Sequence, residues 1–287
     1  MKIFVQTRGN TADYAFLGGA PPDRWWRDDF HDATSFEQTT LIIKGNRTDW
    51  KCFISGIPSS RVDRVGSAIR YSIALEGQCG VEVDTILRLV AACLEDVSSR
   101  SPKGHVQIAM DHSFDEISVE RLLKIRGRTS ESATEVETLA LKAFSELPLP
   151  KTSTGRLEND SWVDSLYSPD AIIEFLSRCS QLLRGSFDGN AAVLNLLGTA
   201  DEAIVFASKF NSFAILIDDE SVSLKIFIPI EKKKPPSVQP STPKNSKPAT
   251  SWRHIGVALG VIILAIWILT PKTSKDLKVD QTPQIGR

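Results

Sequence analysis

The sequence predicts an α+β fold: N-terminal antiparallel strands, then helices, then a C-terminal unit of helix, strand and hairpin, the whole head carried on a membrane tether. Three observations predict it. Alternating apolar runs bounded by turn formers fill the N-terminal part, the signature of half-buried strands. From Val81 to Phe144 apolar residues recur at spacings of three and four, the signature of helices packed by one face. Ile255 to Thr270 (IGVALGVIILAIWILT) then runs sixteen residues without a charge, which marks a helix apolar on every face.

In chain order, Lys2 to Thr7 alternates Ile3 and Val5 against Lys2, Phe4 and Gln6 and reads as a strand ended by Arg8-Gly9-Asn10. Asp13 to Leu17 is a second short apolar run, stopped by Gly18-Gly19-Ala20-Pro21-Pro22. Asp23-Arg24-Trp25-Trp26-Arg27 follows. Trp25 and Trp26 are candidates for stacking a ring or presenting a partner surface, although a tryptophan packed in the core beneath an arginine explains the same residues. Thr40 to Lys44 and Trp50 to Ser55 read as a hairpin turning at Gly45 to Asp49, and Ile69 to Glu76 as a third strand.

Between the last two strands, Gly56 to Ser67 reads as a loop and holds the leading site candidates. It gathers Ser59, Ser60, Arg61, Asp63 and Arg64, with Arg70 just beyond and Arg8 at the end of the first strand. Arginine forks match carboxylate and phosphate oxygens in pairs, so a rigid scaffold presenting them suits a small anionic ligand. Pairing of Asp63 with Arg61, Arg64 or Arg70 to shape a turn is the structural alternative.

Val81 to Val97 carries a helical stripe, and Gly104 to Met110 reads as a short strand. Ser113-Phe114-Asp115-Glu116 is a capping-box pattern for a helix through Lys124. Arg126-Gly127-Arg128 reads as a solvated turn, and a further helix begins near Ser132 and stops before Pro148. Pro148 to Ser161 is polar and turn-rich, which separates an N-terminal domain, 1–147, from an α/β subdomain, 161–231, that is either distinct or continuous with it. In the second part Ser168-Pro169-Asp170 starts a helix that runs to Gly185. Ala191 to Leu197 reads as a buried strand and Asp201 to Lys209 as a helix. Phe213 to Ile217 with Val222 to Ile230 reads as a hairpin turning at Asp218-Asp219-Glu220.

Residues 232–252 are rich in proline, serine and lysine and predict a disordered basic linker. Residues 253–271 predict a transmembrane helix. Sixteen apolar residues rise only about 24 Å against roughly 30 Å of hydrocarbon, yet Trp252 and Trp267 sit where rings favour the lipid interface, and Arg253 and Lys272 can reach outward. Gly256 and Gly260 form a GxxxG pair that permits close helix contact and a homo-oligomer. Residues 272–287 form a short polar tail. MKIFVQTRGN has no apolar export segment, so the head is expected in the cytoplasm and the tail across the membrane.

Charge narrows the function classes. The chain has a net charge of −1, but residues 1–231 hold 24 of the 34 basic and 33 of the 35 acidic residues. That excess disfavours general nucleic-acid binding. Cys52, Cys79, Cys93 and Cys179 have no metal-site spacing and the four histidines form no HxH or HExxH pattern, so neither metal nor cofactor is expected. GxxxxGK[ST], GxGxxG and GxSxG motifs are absent. The leading expectation is therefore a single-pass, membrane-tethered binding or regulatory protein that recognises a protein partner or a small anionic ligand. Two alternatives are an enzyme on a phosphorylated or nucleotide substrate, with Asp63 as base or metal ligand, and a structural subunit of a membrane assembly. Tethered sensor heads of bacterial signalling and immunity share this layout, an analogy of plan alone.

Overall fold

The computed structural model describes residues 1–100, 103–125, 127–150, 161–210, 212–222 and 226–228. The linker 232–252, the apolar segment 253–271 with Gly256 and Gly260, and the tail 272–287 lie outside the described residues. No helix among the described residues is long and apolar enough to cross a membrane. Contacts divide the chain into Met1–Lys232 and Lys233–Arg287, and every described element belongs to the first unit.

The head is a mixed α/β structure, with nine strands and seven α-helices among the described residues. The strands are β1 (Lys2–Thr7), β2 (Ala15–Phe16), β3 (Thr40–Asn46), β4 (Asp49–Val62), β5 (Ala68–Gln78), β6 (Ser161–Ser165), β7 (Asp188–Leu194), β8 (Phe213–Ile217) and β9 (Ile226–Ile228). The helices are α1 (Trp25–Phe30), α2 (Val83–Ser98), α3 (His105–Ser113), α4 (Glu116–Leu123), α5 (Ser130–Ser145), α6 (Pro169–Leu183) and α7 (Ala200–Ala207). One sheet runs in the order β2-β1-β5-β4-β3-β7-β8-β6-β9. Its first six strands pair antiparallel, β7, β8 and β6 are mutually parallel, and β9 closes antiparallel on β6. The β3–β7 ladder thus joins residues from both sides of the 148–161 segment in one sheet.

Strand alternation sorts the core into two layers. Ile3, Val5, Leu41, Ile43, Cys52, Ile54, Ala191 and Val193 face the layer built by α2 to α6. Their neighbours Phe4, Ile42, Phe53 and Ala192 face a smaller layer closed by α1 and α7. Adjacent residues on a strand point to opposite faces, so a run such as Leu41-Ile42-Ile43 is apolar throughout because both faces are covered.

Several expectations change. Gly104 to Met110 is not a strand; it opens α3, because the Asp96 carboxylate of α2 accepts from the His105 and Val106 amides at 2.7 and 2.9 Å and caps the helix from outside its own segment. Asp115, not Ser113, caps α4, accepting from the Ser118 amide at 2.7 Å. Arg128 is no solvated turn residue: it donates to the Ile3 carbonyl and to Glu137, with its guanidinium 4.2 Å from the Phe4 ring centroid. The expected pairing of Phe213–Ile217 with Val222–Ile230 is not made among the described residues, where β8 and β9 are not neighbours. β6, hidden in the sequence at the end of a polar stretch, lies between β8 and β9 and pairs with both. The expected loop Gly56 to Ser67 is largely strand, since β4 continues to Val62 and only Asp63 to Ser67 turn.

Candidate functional site

Two irregularities in the β4–β5 ladder shape the site, one between Ile54 and Ile57 and one between Pro58 and Val62. At the first, Gly56 takes φ +71°, and a Cβ there would lie 2.1 Å from the Gln38 carbonyl oxygen. Only glycine meets both conditions, the left-handed backbone and the close approach. The Gly56 carbonyl then accepts from Arg70 Nη1 at 3.1 Å and from the Thr39 hydroxyl at 3.3 Å. An extra residue in a strand has here become the fixed anchor of an arginine.

Arg70 lines a pocket of about 320 Å³ with Gln38, Thr39, Pro58, Asp96, Asn195 and Asp218 among its polar and turn residues and Ile57, Cys93, Val97 and Val106 as its apolar wall. Asn195 and Asp218 directly follow β7 and β8. The pocket therefore lies beyond the carboxyl ends of the parallel strands, where open α/β sheets place ligands because the connections to the two faces diverge. Here α6 follows β6 on one face and α7 follows β7 on the other.

Its polar groups are oriented. Asn195 Nδ2 donates to the Thr39 carbonyl at 2.5 Å. That bond turns Oδ1 the other way, and Oδ1 is buried with no hydrogen-bond partner among the described residues. Burial raises the Asp96 carboxyl above its ordinary range, although the Val106 and His105 amides pull the other way. Gly104 permits this cap, since a Cβ there would meet an Asp96 oxygen at 2.3 Å. At the rim, Asp218 accepts from the Tyr167 hydroxyl, which in turn accepts from Arg100 Nη2 at 2.8 Å. Arg100 Nη2 also reaches Glu220 at 3.0 Å.

The other predicted residues lie apart from Arg70's pocket. Arg61 is engaged through every guanidinium nitrogen: Nε to Ser59 Oγ at 3.2 Å, Nη1 to the Arg8 carbonyl at 3.1 Å and Nη2 to Thr7 Oγ1 at 2.9 Å. It also covers the Tyr71 ring. Asp63 pairs with Arg8 Nη1 at 2.9 Å rather than with Arg61, Arg64 or Arg70, and accepts from the Val65 and Ser67 amides. The Ser67 amide above all holds its carboxyl below the usual carboxylate range. Such a group is committed to its turn and is a weak base at neutral pH. Arg64 is exposed and lines an open depression with Asn10, Thr11, Glu116, Glu120 and Lys124.

Trp25 and Trp26 are buried, not presented. Trp26 stacks on Phe53 with ring centroids 4.4 Å apart, and Trp25 meets Trp26 and Phe30 edge-on. Among the described residues no group of three or more His, Cys, Asp and Glu gathers at metal-binding distance.

Asp96, Asn195, Asp218 and Gln38 were not legible as site residues. The available signal was positional: Asn195 and Asp218 are the first polar residues after the buried runs Ala191–Leu194 and Phe213–Ile217. That signal acquires meaning only when the two strands are known to be parallel neighbours. Fold and site together define a mixed α/β head with a polar pocket at a sheet end. Compared with protein-family models, curated proteins and solved structures, the chain has no match.

Proposed function

We propose that the protein is a single-pass, membrane-tethered binding or regulatory protein whose cytoplasmic head takes a small ligand. The observation that carries the ligand part is the pocket beyond β7 and β8, where an anchored guanidinium shares one lining with the carboxylates of Asp96 and Asp218. Convergent polar groups in a largely preformed concavity are the usual form of a ligand site. Arg70 supplies the cation that the sequence assigned to the whole Arg61 to Arg70 stretch. The tether reading rests on residues 253–271, and the basic residues of 232–252 add attraction to anionic lipid at about 1 kcal/mol each near the surface.

Native mass spectrometry of the full-length chain, extracted from its own membranes in mild detergent, tests the pocket. The wild type is expected to carry a bound small molecule that Arg70→Gln loses. Identical spectra for the two would overturn the assignment. For the tether, alkaline carbonate should leave the wild type in the membrane pellet and release Leu259→Lys/Ile263→Lys. Release of the wild type would refute it. Close contact through Gly256 and Gly260 predicts that Gly256→Ile disperses any detergent-stable oligomer.

A further inference from the structure

Resting on the reading of this pocket as a ligand site, we propose that its ligand is a small zwitterion of the amino-acid class: one carboxylate held by Arg70 and one ammonium group held by Asp218. Three features favour this chemistry over a phosphorylated ligand.

The first is charge. The pocket lining holds one cation, Arg70, and two carboxylates, Asp96 and Asp218. A dianionic phosphate would meet one guanidinium in the lining and two carboxylates, of which Asp218 has a cation beside it, Arg100 at 3.9 Å, whereas a carboxylate needs only the single fork, which Nη1 already orients through the Gly56 carbonyl.

The second is the helix end. The α3 N-terminus borders the pocket at Gly104, yet its first amides are taken by Asp96, with bonds of 2.7 and 2.9 Å at His105 and Val106. The free backbone donors that make helix N-termini phosphate sites are closed here by a protein carboxylate.

The third is Asp218. It follows β8 and brings a carboxylate to the same lining as Arg70. An anion-binding guanidinium and a carboxylate on one lining suit a ligand that carries both charges, its carboxylate on the fork and its ammonium on Asp218. Ile57, Val97 and Val106 leave an apolar wall for the ligand's side chain. The volume, about 320 Å³, lies at the small end of the roughly 300–1,000 Å³ typical of ligand sites.

The test is thermal unfolding of the full-length chain in detergent, with the twenty free L-amino acids, inorganic phosphate and adenosine monophosphate as separate probes at low millimolar concentration. One or more amino acids should raise the midpoint and phosphate and the nucleotide should not. Arg70→Gln, which removes the guanidinium charge, should weaken that amino acid by about tenfold or more. Asp218→Asn, which removes the charge but keeps an acceptor for the Tyr167 hydroxyl, should weaken the same amino acid without lowering the midpoint of the free protein.

Stabilisation by phosphate or the nucleotide that Arg70→Gln removes would overturn the amino-acid assignment and leave the pocket reading standing. An amino-acid effect untouched by Arg70→Gln would overturn it too, because the binding would then lie elsewhere. No shift with any probe, while native spectra still carry a bound molecule, overturns the ligand class alone. No shift and no bound molecule overturn both readings.

Discussion

Asp111 on α3 fastens the two walls of the pocket to each other. Its carboxylate accepts from the Ser59 hydroxyl at 2.6 Å, the Ser60 amide at 2.6 Å and the Tyr71 hydroxyl at 3.0 Å, joining α3 to the irregular stretch of β4 and to β5. Ser59 and Tyr71 are buried, and burial first, then the Asp111 charge, raises the Tyr71 phenol above its usual range while Arg61 opposes. Asp111→Ala leaves both hydroxyls without their acceptor. Tyr71 keeps a 3.4 Å contact to the Phe114 carbonyl and its bond with Ser59. A bond to a charged group contributes about 1.5–3 kcal/mol. The Ser60 amide is exposed and can turn to water, so two bonds count in full, and their shared acceptor makes them less than additive. The expected loss is about 3 kcal/mol. Urea unfolding followed by circular dichroism, at unchanged slope, measures it. The cycle with Tyr71→Phe should show a coupling of about 1 kcal/mol, within the range for directly bonded residues. A loss under about 0.5 kcal/mol, or additivity within about 0.3 kcal/mol, would refute the account of Asp111 as the fastening.

Gly56→Ala should destabilise by more than about 2 kcal/mol, the left-handed backbone alone contributing about 1–2, and should release Arg70 from its anchor; a neutral change by thermal denaturation would contradict the reading of the bulge. Trp26→Ala should cost about 3–5 kcal/mol as a core truncation, and loss of partner capture at full stability would return Trp26 to the surface candidates. The Asp63 carboxyl has its folded pKa lowered, so its contribution is present above the unfolded value near about 4 and is lost as pH falls through the folded value. Asp63→Asn should therefore weaken the head at neutral pH, with the difference from wild type closing in acid. A difference that persists unchanged to strongly acidic pH would show that the charge is not what matters.

The strands of the N-terminal part were legible because their alternation is local: β1, β3 and β5 follow from apolar runs between turn formers, and β3 and β4 pair as a hairpin in the order the chain supplies them. The stripes of α2, α5 and α6 were legible for the same reason, and Ser168 does cap α6 through the Ala171 amide. Gly104 to Met110 was not, because the signal that makes it helical is the carboxylate of Asp96, on a different helix. Nor was β6, five residues with little pattern whose strand character comes from filling the space between β8 and β9. In the site, Arg70 was singled out from its residue type alone, while Asp96, Asn195 and Asp218 come to it from a distant helix and two later strand ends.

By itself the sequence determined the periodic elements, the acidic balance of the head, the apolar segment near the C-terminus and the arginines worth weighing, since each depends on residues within a few positions of one another. Tertiary structure alone decided which arginine lines a pocket and which are spent on the fold. Arg61 and Arg70 have the same chemistry and nearly the same surroundings in the chain. What separates them is the pair of bulges in β4, which turns one guanidinium onto Thr7, Arg8 and Ser59 and anchors the other on Gly56 at the mouth of the sheet.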